Sequence, residues 1–232
     1  MEEDLPKKNL GQMQQDGEFR VIEKFIQSGD TVFDGGGNVG FWSEHVLKTK
    51  DAINLYTFEP TPNIFAKMQE RLGSFASKLF MVALSDVDGY KEFFCYPGGA
   101  EYYNSFFDWK TRPKQKIKVL CRAIDSFCVE HGIEHIDFLK LDIEGAEFVA
   151  LTGAKKMLES KQIKYIQFEY NEHPRANLRG IYTLLSRCGY ALYKILPNHL
   201  SRISNWHNGL ADKKFINYLA VAPGVTIEAL GL

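Results

Sequence analysis

The sequence predicts an α/β protein: an open, mostly parallel sheet with helices on both faces and an antiparallel last strand. Three observations carry this. Thr31-Val-Phe-Asp34 reads as the end of a buried strand, a glycine-rich turn runs from Gly35 to Gly40, and Phe41 to Leu47 reads as a helix. Apolar runs of strand length then alternate with helical patterns as far as Gly189, the order that builds a parallel sheet. Two further strand-like runs, Tyr190 to Leu196 and Phe215 to Ala222, have no helix between them, so the last strand turns back antiparallel.

Each element has its own signal. Residues 1–28 form an N-terminal helical extension, because Phe19, Ile22, Phe25 and Ile26 recur at helical spacing between Gln14 and Gln27. Ile53 to Phe58 is a second strand that delivers Glu59-Pro60. Pro62 to Leu72 is a helix with Ile64, Phe65, Met68 and Leu72 on one face. Leu79 to Leu84 reads as the third strand, ending in Ser85-Asp86. Asp88-Gly89 is a tight-turn signal, and Tyr90 to Tyr96 alternates as a hairpin arm. Residues 97–116 break the pattern. Tyr102, Tyr103, Phe106, Phe107 and Trp109 make this an aromatic loop that either packs on the core or lines a pocket. Ile117 to Ala123 is a strand, a short helix ends at Gly132, and Ile136 to Leu141 is the fourth buried strand. Phe148 to Ser160 is a helix, Ile163 to Phe168 the fifth strand, and Pro174 to Cys188 a helix stopped by Gly189. There is no repeat and no linker, so residues 1–232 are read as one domain.

Composition narrows the partners. Hydrophobic residues at 45% and charged residues at 25% of 232 belong to a soluble globular chain. A formal charge of −1 argues against a nucleic-acid partner, and the run Lys110 to Lys118 reads as a solvated loop. The four cysteines make no C-x-x-C and no metal-finger spacing. No signal peptide and no apolar run of membrane-spanning length is visible, so a cytoplasmic setting without an integral membrane segment is expected.

The strand–glycine turn–helix unit reads as a nucleoside site, with Glu59 able to accept both hydroxyls of a ribose diol. Two cofactors compete for it. Gly35, Gly37 and Gly40 fit the G-x-G-x-x-G of a dinucleotide site, which keeps NAD open. In the other register the turn is Asp34-x-Gly36-x-Asn38-x-Gly40, which opens with an acid that would repel a pyrophosphate and suit the cationic S-adenosylmethionine. The strand ends read Asp34, Glu59, Ser85-Asp86, Asp142 and Glu169, and in an open α/β sheet ligands lie along that edge.

With Phe58-Glu59-Pro60, Ala83-Leu84-Ser85-Asp86 and Gly89, Ile124-Asp125-Ser126-Phe127, and Lys140-x-Asp142-x-Glu144-Gly145-Ala146-Glu147, these motifs resemble the FkbM family of methyltransferases over residues 30 to 170. Gly37 departs from the family, which more usually has Ala there, a difference expected to be harmless. The resemblance implies a Rossmann-like class I sheet of seven strands and methyl transfer from S-adenosylmethionine to a hydroxyl of a sugar, glycan or related natural product. It implies that Asp34, Gly36, Asn38 and Gly40 hold the methionine end, Glu59 and Pro60 the ribose side, and that Ser85 and Asp86 lie near the adenine. Asp142 is placed in the cofactor-binding set and is also the candidate to orient the acceptor or take its proton, with Glu169 a further catalytic candidate. Lys140 would stabilise a developing alkoxide or face the helix layer, and His173 is a further candidate base. Glu144, Tyr102, Tyr103 and Trp109 are assigned to the acceptor side. Asp142, Glu169 and Asn171 offer oxygen ligands suited to Mg²⁺.

Rival readings are an NAD-dependent oxidoreductase and an inactive methyltransferase-like binding module. Tyr190-Ala-Leu-Tyr-Lys194 matches the Y-x-x-x-K of short-chain dehydrogenases but follows Gly189, where a strand and not the required helix is expected.

Overall fold

A computed structural model describes residues 13, 15–75, 77–97, 103–109, 114–170, 173, 176–211 and 216–227. Tyr102, Asn171, residues 1–12 and much of the aromatic loop lie outside that set. The strands are β1 (Thr31–Gly35), β2 (Asn54–Phe58), β3 (Ser77–Phe80), β4 (Ala83–Ser85), β5 (Gly89–Cys95) and β6 (Gln115–Ala123). They continue with β7 (Ile136–Leu141), β8 (Ile163–Tyr170), β9 (Ala191–Ile195), β10 (Leu200–Ile203) and β11 (Ile216–Val221). The helices are α1 (Glu18–Phe25), α2 (Phe41–Thr49), α3 (Pro62–Leu72), α4 (Ile124–His131), α5 (Glu147–Thr152), α6 (Lys155–Glu159) and α7 (Leu178–Arg187).

Among the described residues the main sheet runs β3-β2-β1-β7-β8-β11-β9-β10. β3, β2, β1, β7 and β8 are parallel neighbours, and β11 runs antiparallel to both β8 and β9. β1 and β7 are buried on both faces because helices cover both, as parallel strands require. Alternation sends Phe33, Leu139 and Leu141 to the core shared with α4 to α7. Val32 and Phe138 go to the opposite core with α1, α2 and the Trp42 ring. The aromatic centre of the first core is tight, with Phe127 lying 4.9 Å from both Phe58 and Phe80, ring centroid to centroid.

Five local readings differ from the structure. The helix expected from Pro174 starts at Leu178, where Asn177 Oδ1 caps it by accepting the Gly180 N–H at 2.8 Å. The main sheet has eight strands among the described residues, not seven, because the chain folds back after β9 as β10, closed by a Leu196 N–H to His199 carbonyl bond of 3.0 Å. The run Leu79 to Leu84 is not one strand. It breaks at Met81, which is 49% exposed, and Ala83 to Ser85 join a separate three-stranded sheet ordered β4-β6-β5. The helix expected over Phe148 to Ser160 is two helices, because Gly153 packs so closely on β4 that a Cβ there would lie 1.9 Å from the Ser85 carbonyl oxygen. Lys116 and Lys118 lie on β6 rather than in a loop. No described helix is long and apolar enough to cross a membrane.

Candidate functional site

The carboxyl ends of β1, β2, β7 and β8 lie side by side, and the glycine turn is folded down over the first two. Gly36 and Gly37 both donate their N–H to the Phe58 carbonyl at 3.0 Å, and Gly40 N–H reaches the Gly37 carbonyl at 2.8 Å. Asn38, with φ 48°, donates its N–H to Glu59 Oε2 at 3.2 Å and turns its own Oδ1 to the Val39 N–H at 2.7 Å. Every backbone N–H from Gly36 to Gly40 is therefore used inside the protein. A phosphate-binding turn does the opposite and aims such groups at its ligand.

Two glycines are fixed by close approach. Gly36 has φ 79°, and a Cβ there would lie 2.0 Å from the Asp142 carbonyl oxygen, so β7 and the turn touch backbone to backbone. At Gly37 a Cβ would meet Thr57 Cγ2 at 2.3 Å and Met68 Sδ at 3.0 Å. This chain fills the space with the Thr57 methyl.

The argument from Asp34 also changes. Its carboxylate is fully buried under the turn, with Oδ2 accepting from Ser43 Oγ at 2.7 Å and Oδ1 from Lys140 Nζ at 3.0 Å. Its charge is answered by Lys140, not presented to the cleft. Lys140, 3% exposed, faces the α2 layer with its Nζ 5.5 Å from the Trp42 ring, and its ammonium stands 3.8 Å from Asp142 Oδ2. A buried carboxylate–ammonium pair with a second hydrogen bond to Ser43 satisfies what burial demands.

Glu59 ends β2 and accepts the Asn38 N–H and, at 2.9 Å on Oε1, the Thr61 N–H. Burial pushes its carboxyl up to about 7, against the pull of those bonds. Pro60, half-buried, follows it directly.

At the ends of β7 and β8, oxygens of Asp142, Glu144 and Glu169 all lie within 4.8 Å of one another. Glu144 sits in the left-handed region at φ 55°, followed by Gly145 at φ 94°. Above them the aromatic loop is folded across the edge. Ser105 Oγ donates to the Glu144 carbonyl at 2.8 Å, and Asn104 Nδ2 reaches Thr61 Oγ1 at 3.4 Å. Buried His173 lies under the same loop, 4.5 Å from the Trp109 ring and 5.3 Å from Phe107, with Tyr103 5.0 Å from Trp109. Tyr96 braces the loop from within, its hydroxyl accepting the Trp109 N–H at 2.7 Å and its N–H donating to Asn104 Oδ1 at 2.8 Å.

The structure thus brings together Asp142, Glu144 and Glu169 as one group, and Asp34 with Lys140 beneath them. Tyr103, Trp109 and His173 form the roof. Ser85 and Asp86 bond instead within the second sheet. They lie after β4 on the second sheet, where Lys91 Nζ donates to Ser85 Oγ at 2.8 Å and pairs with Asp86, holding that carboxyl below the usual range. Residues that sequence reasoning passed over include Ser43, Thr57 and Thr61, which lock the turn, and Ser105, which locks the roof. Glu147 closes the motif that opens at Lys140. Fully buried, its Oε1 accepts the N–H groups of Ile143 at 3.0 Å and Gly145 at 3.2 Å, and burial raises its carboxyl to about 7.

Tyr190 is not on a helix. It precedes β9 and donates its hydroxyl to the Ile163 carbonyl at 2.7 Å, so the Y-x-x-x-K match is structural.

Known proteins agree with this architecture. A solved structure of a precorrin-6y C5,15-methyltransferase from Geobacter metallireducens is similar with a TM-score of 0.51, at 10% identity, covering 96% of this chain and 92% of that one. Among curated proteins, the 2-O-methyltransferase NoeI of Sinorhizobium fredii is 29% identical over 184 residues, 72% of this chain and 75% of NoeI. The AMB antimetabolite synthetase AmbE of Pseudomonas aeruginosa is 25% identical over 159 residues, and this similarity spans 7% of its length. The model of the methyltransferase FkbM domain matches residues 34–192, the stretch that holds the glycine turn, Glu59 and the three clustered carboxylates, and the chain is a member of the FkbM methyltransferase family.

Proposed function

We propose that this methyltransferase moves a methyl group from S-adenosylmethionine to a hydroxyl oxygen of a sugar, glycan or related natural product. One observation supports the cofactor most strongly: the turn from Gly36 to Gly40 has no backbone N–H left for a phosphate, while carboxylates crowd the same edge. That donor set fits a ligand with a ribose and positive charge and fits NAD poorly. When bound, the cofactor supplies an electrophilic methyl group on a sulfonium.

The chain's own residues do the rest. Glu59 accepts the ribose hydroxyls beside Pro60, and the Gly36–Asn38–Gly40 turn, anchored by Asp34, supports the methionine end. Ser85 and Asp86 border the adenine side. Asp142 orients the acceptor hydroxyl and takes its proton as the new C–O bond forms, with Glu169 and His173 within the same roofed cleft as its partners. Lys140 keeps Asp34 paired and places its ammonium 3.8 Å from Asp142. Tyr103 and Trp109 offer flat apolar faces to the C–H side of a sugar ring, and Glu144 accepts from its hydroxyls. The name of NoeI, a 2-O-methyltransferase, favours oxygen as the target. Asp142, Glu144 and Glu169 also have the oxygen donors of a hard cation site.

The test is incubation with methyl-labelled S-adenosylmethionine and a panel of free and oligomeric sugars, read by mass spectrometry. Label on a hydroxyl of a sugar supports the proposal. Label only on nitrogen, or none on any member while the cofactor binds, overturns the acceptor class. Activity that survives excess EDTA overturns a metal role.

A further inference from the structure

The loop between β7 and α5, residues 142–146, has an unfavourable shape. Glu144 holds a left-handed backbone that costs a non-glycine residue about 1–2 kcal/mol, and Gly145 follows in the same region. Asp142, Glu144 and Glu169 bring their oxygens within 4.8 Å of one another at this loop. Something must hold it.

Three contacts do. Asp142 N–H is pinned to the Gly35 carbonyl at 3.0 Å, and the Glu144 carbonyl takes Ser105 Oγ at 2.8 Å. Most central is Glu147, whose single oxygen Oε1 gathers the Ile143 and Gly145 N–H groups from either side of Glu144. Glu147 is 2% exposed, so its carboxylate is enclosed by the loop it holds and is not offered to the cleft.

We infer that Glu147 is a positioning residue: its buried carboxylate is the post around which residues 142–146 are wound, and it aims Asp142 and Glu144 into the cleft and seats the glycine turn. The link to the turn is direct, because the Asp142 carbonyl lies against Gly36 with no room for a Cβ. A loop that relaxes at Ile143 and Gly145 moves the Asp142 backbone off the turn. This role rests on the methyl-transfer reading of the cleft.

Amide hydrogen exchange of Ile143 and Gly145, followed by NMR, tests the positioning without any ligand. In Glu147→Ala both amides exchange at least about tenfold faster than in the parent, and Glu147→Gln, whose amide oxygen still accepts two N–H groups, restores most of the protection. Calorimetric titration with S-adenosylhomocysteine tests the link to the site. Affinity falls by about tenfold or more in Glu147→Ala and by less than about threefold in Glu147→Gln. Leu185→Ala, a core truncation in α7, serves as the control for lost stability. It lowers the unfolding midpoint and leaves both the exchange of these amides under native conditions and the affinity near parental values. Unchanged protection in Glu147→Ala overturns the positioning role, as does lost protection with unchanged affinity or an equal loss of affinity in Leu185→Ala. A parent protein that does not bind S-adenosylhomocysteine overturns the cofactor reading instead, and the exchange result still decides whether Glu147 holds the loop.

Discussion

At the scale of single residues, Glu59 concentrates the physics of the site. Its carboxyl is held at about 7 against an ordinary 4.5 because burial strips water from the charged form faster than two backbone N–H groups replace it. A folded-state value above the unfolded one means that the folded chain grips this proton harder. The stability so gained is complete below pH 4.5 and is lost as pH rises through about 7. The span corresponds to about 3 kcal/mol. Urea unfolding of the parent and of Glu59→Gln at pH 5 and pH 8 should therefore diverge, with the parent losing more stability on the way up; parallel pH profiles would contradict the assignment. Ligand affinity runs the other way. Only the ionised carboxylate accepts both ribose hydroxyls, so S-adenosylhomocysteine should bind more tightly at pH 8 than at pH 6. Glu59 was legible in the sequence as a carboxylate after a second strand. Its raised pKa was not, because that comes from burial by segments distant in sequence.

At the scale of elements, the glycine turn is held by side chains on neighbouring strands and helices. Asp34, Ser43 and Thr57 form one buried chain, with Ser43 Oγ 2.7 Å from Asp34 Oδ2 and 2.9 Å from Thr57 Oγ1. Thr57 therefore does two jobs: its hydroxyl joins that chain and its methyl fills the space beside Gly37. Gly37→Ala should cost about 1–3 kcal/mol by overpacking. Adding Thr57→Ser, which removes the methyl and keeps the hydroxyl, should recover most of it in thermal or urea unfolding. No recovery would mean that the strain lies in the backbone instead. The sequence disclosed the glycines and their order because strand, turn and helix periodicities change sharply there. It could not disclose that the turn's N–H groups point inward, nor that Asp34 meets Lys140, since these are contacts between segments 106 residues apart. The split of the third strand at Met81 and of the helix at Gly153 was hidden for the same reason. Both breaks come from the docking of β4, which no local pattern announces.

At the scale of the whole molecule, the alternation of strands and helices sufficed to predict the mostly parallel sheet and its antiparallel β11. The roof was not predictable in detail, because aromatic residues without periodicity say only that they must be buried somewhere. One further long-range contact is informative. Glu18, at the start of α1, is fully buried and accepts from Gln167 Nε2 at 3.1 Å and Asn217 Nδ2 at 2.8 Å, on the strands β8 and β11. We expect α1 to unfold with the sheet as one unit. Glu18→Ala leaves two buried amides without this acceptor, at about 1–3 kcal/mol each, and should shift a single urea transition to lower denaturant. A separate early transition would make α1 an appendage. The central claim, a methyl-donor cleft in place of a dinucleotide site, is tested most directly by calorimetric titration of the protein with S-adenosylhomocysteine and, separately, with NAD⁺. The account predicts binding of the first alone, weakened in Glu59→Ala; binding of NAD⁺ in preference would contradict it.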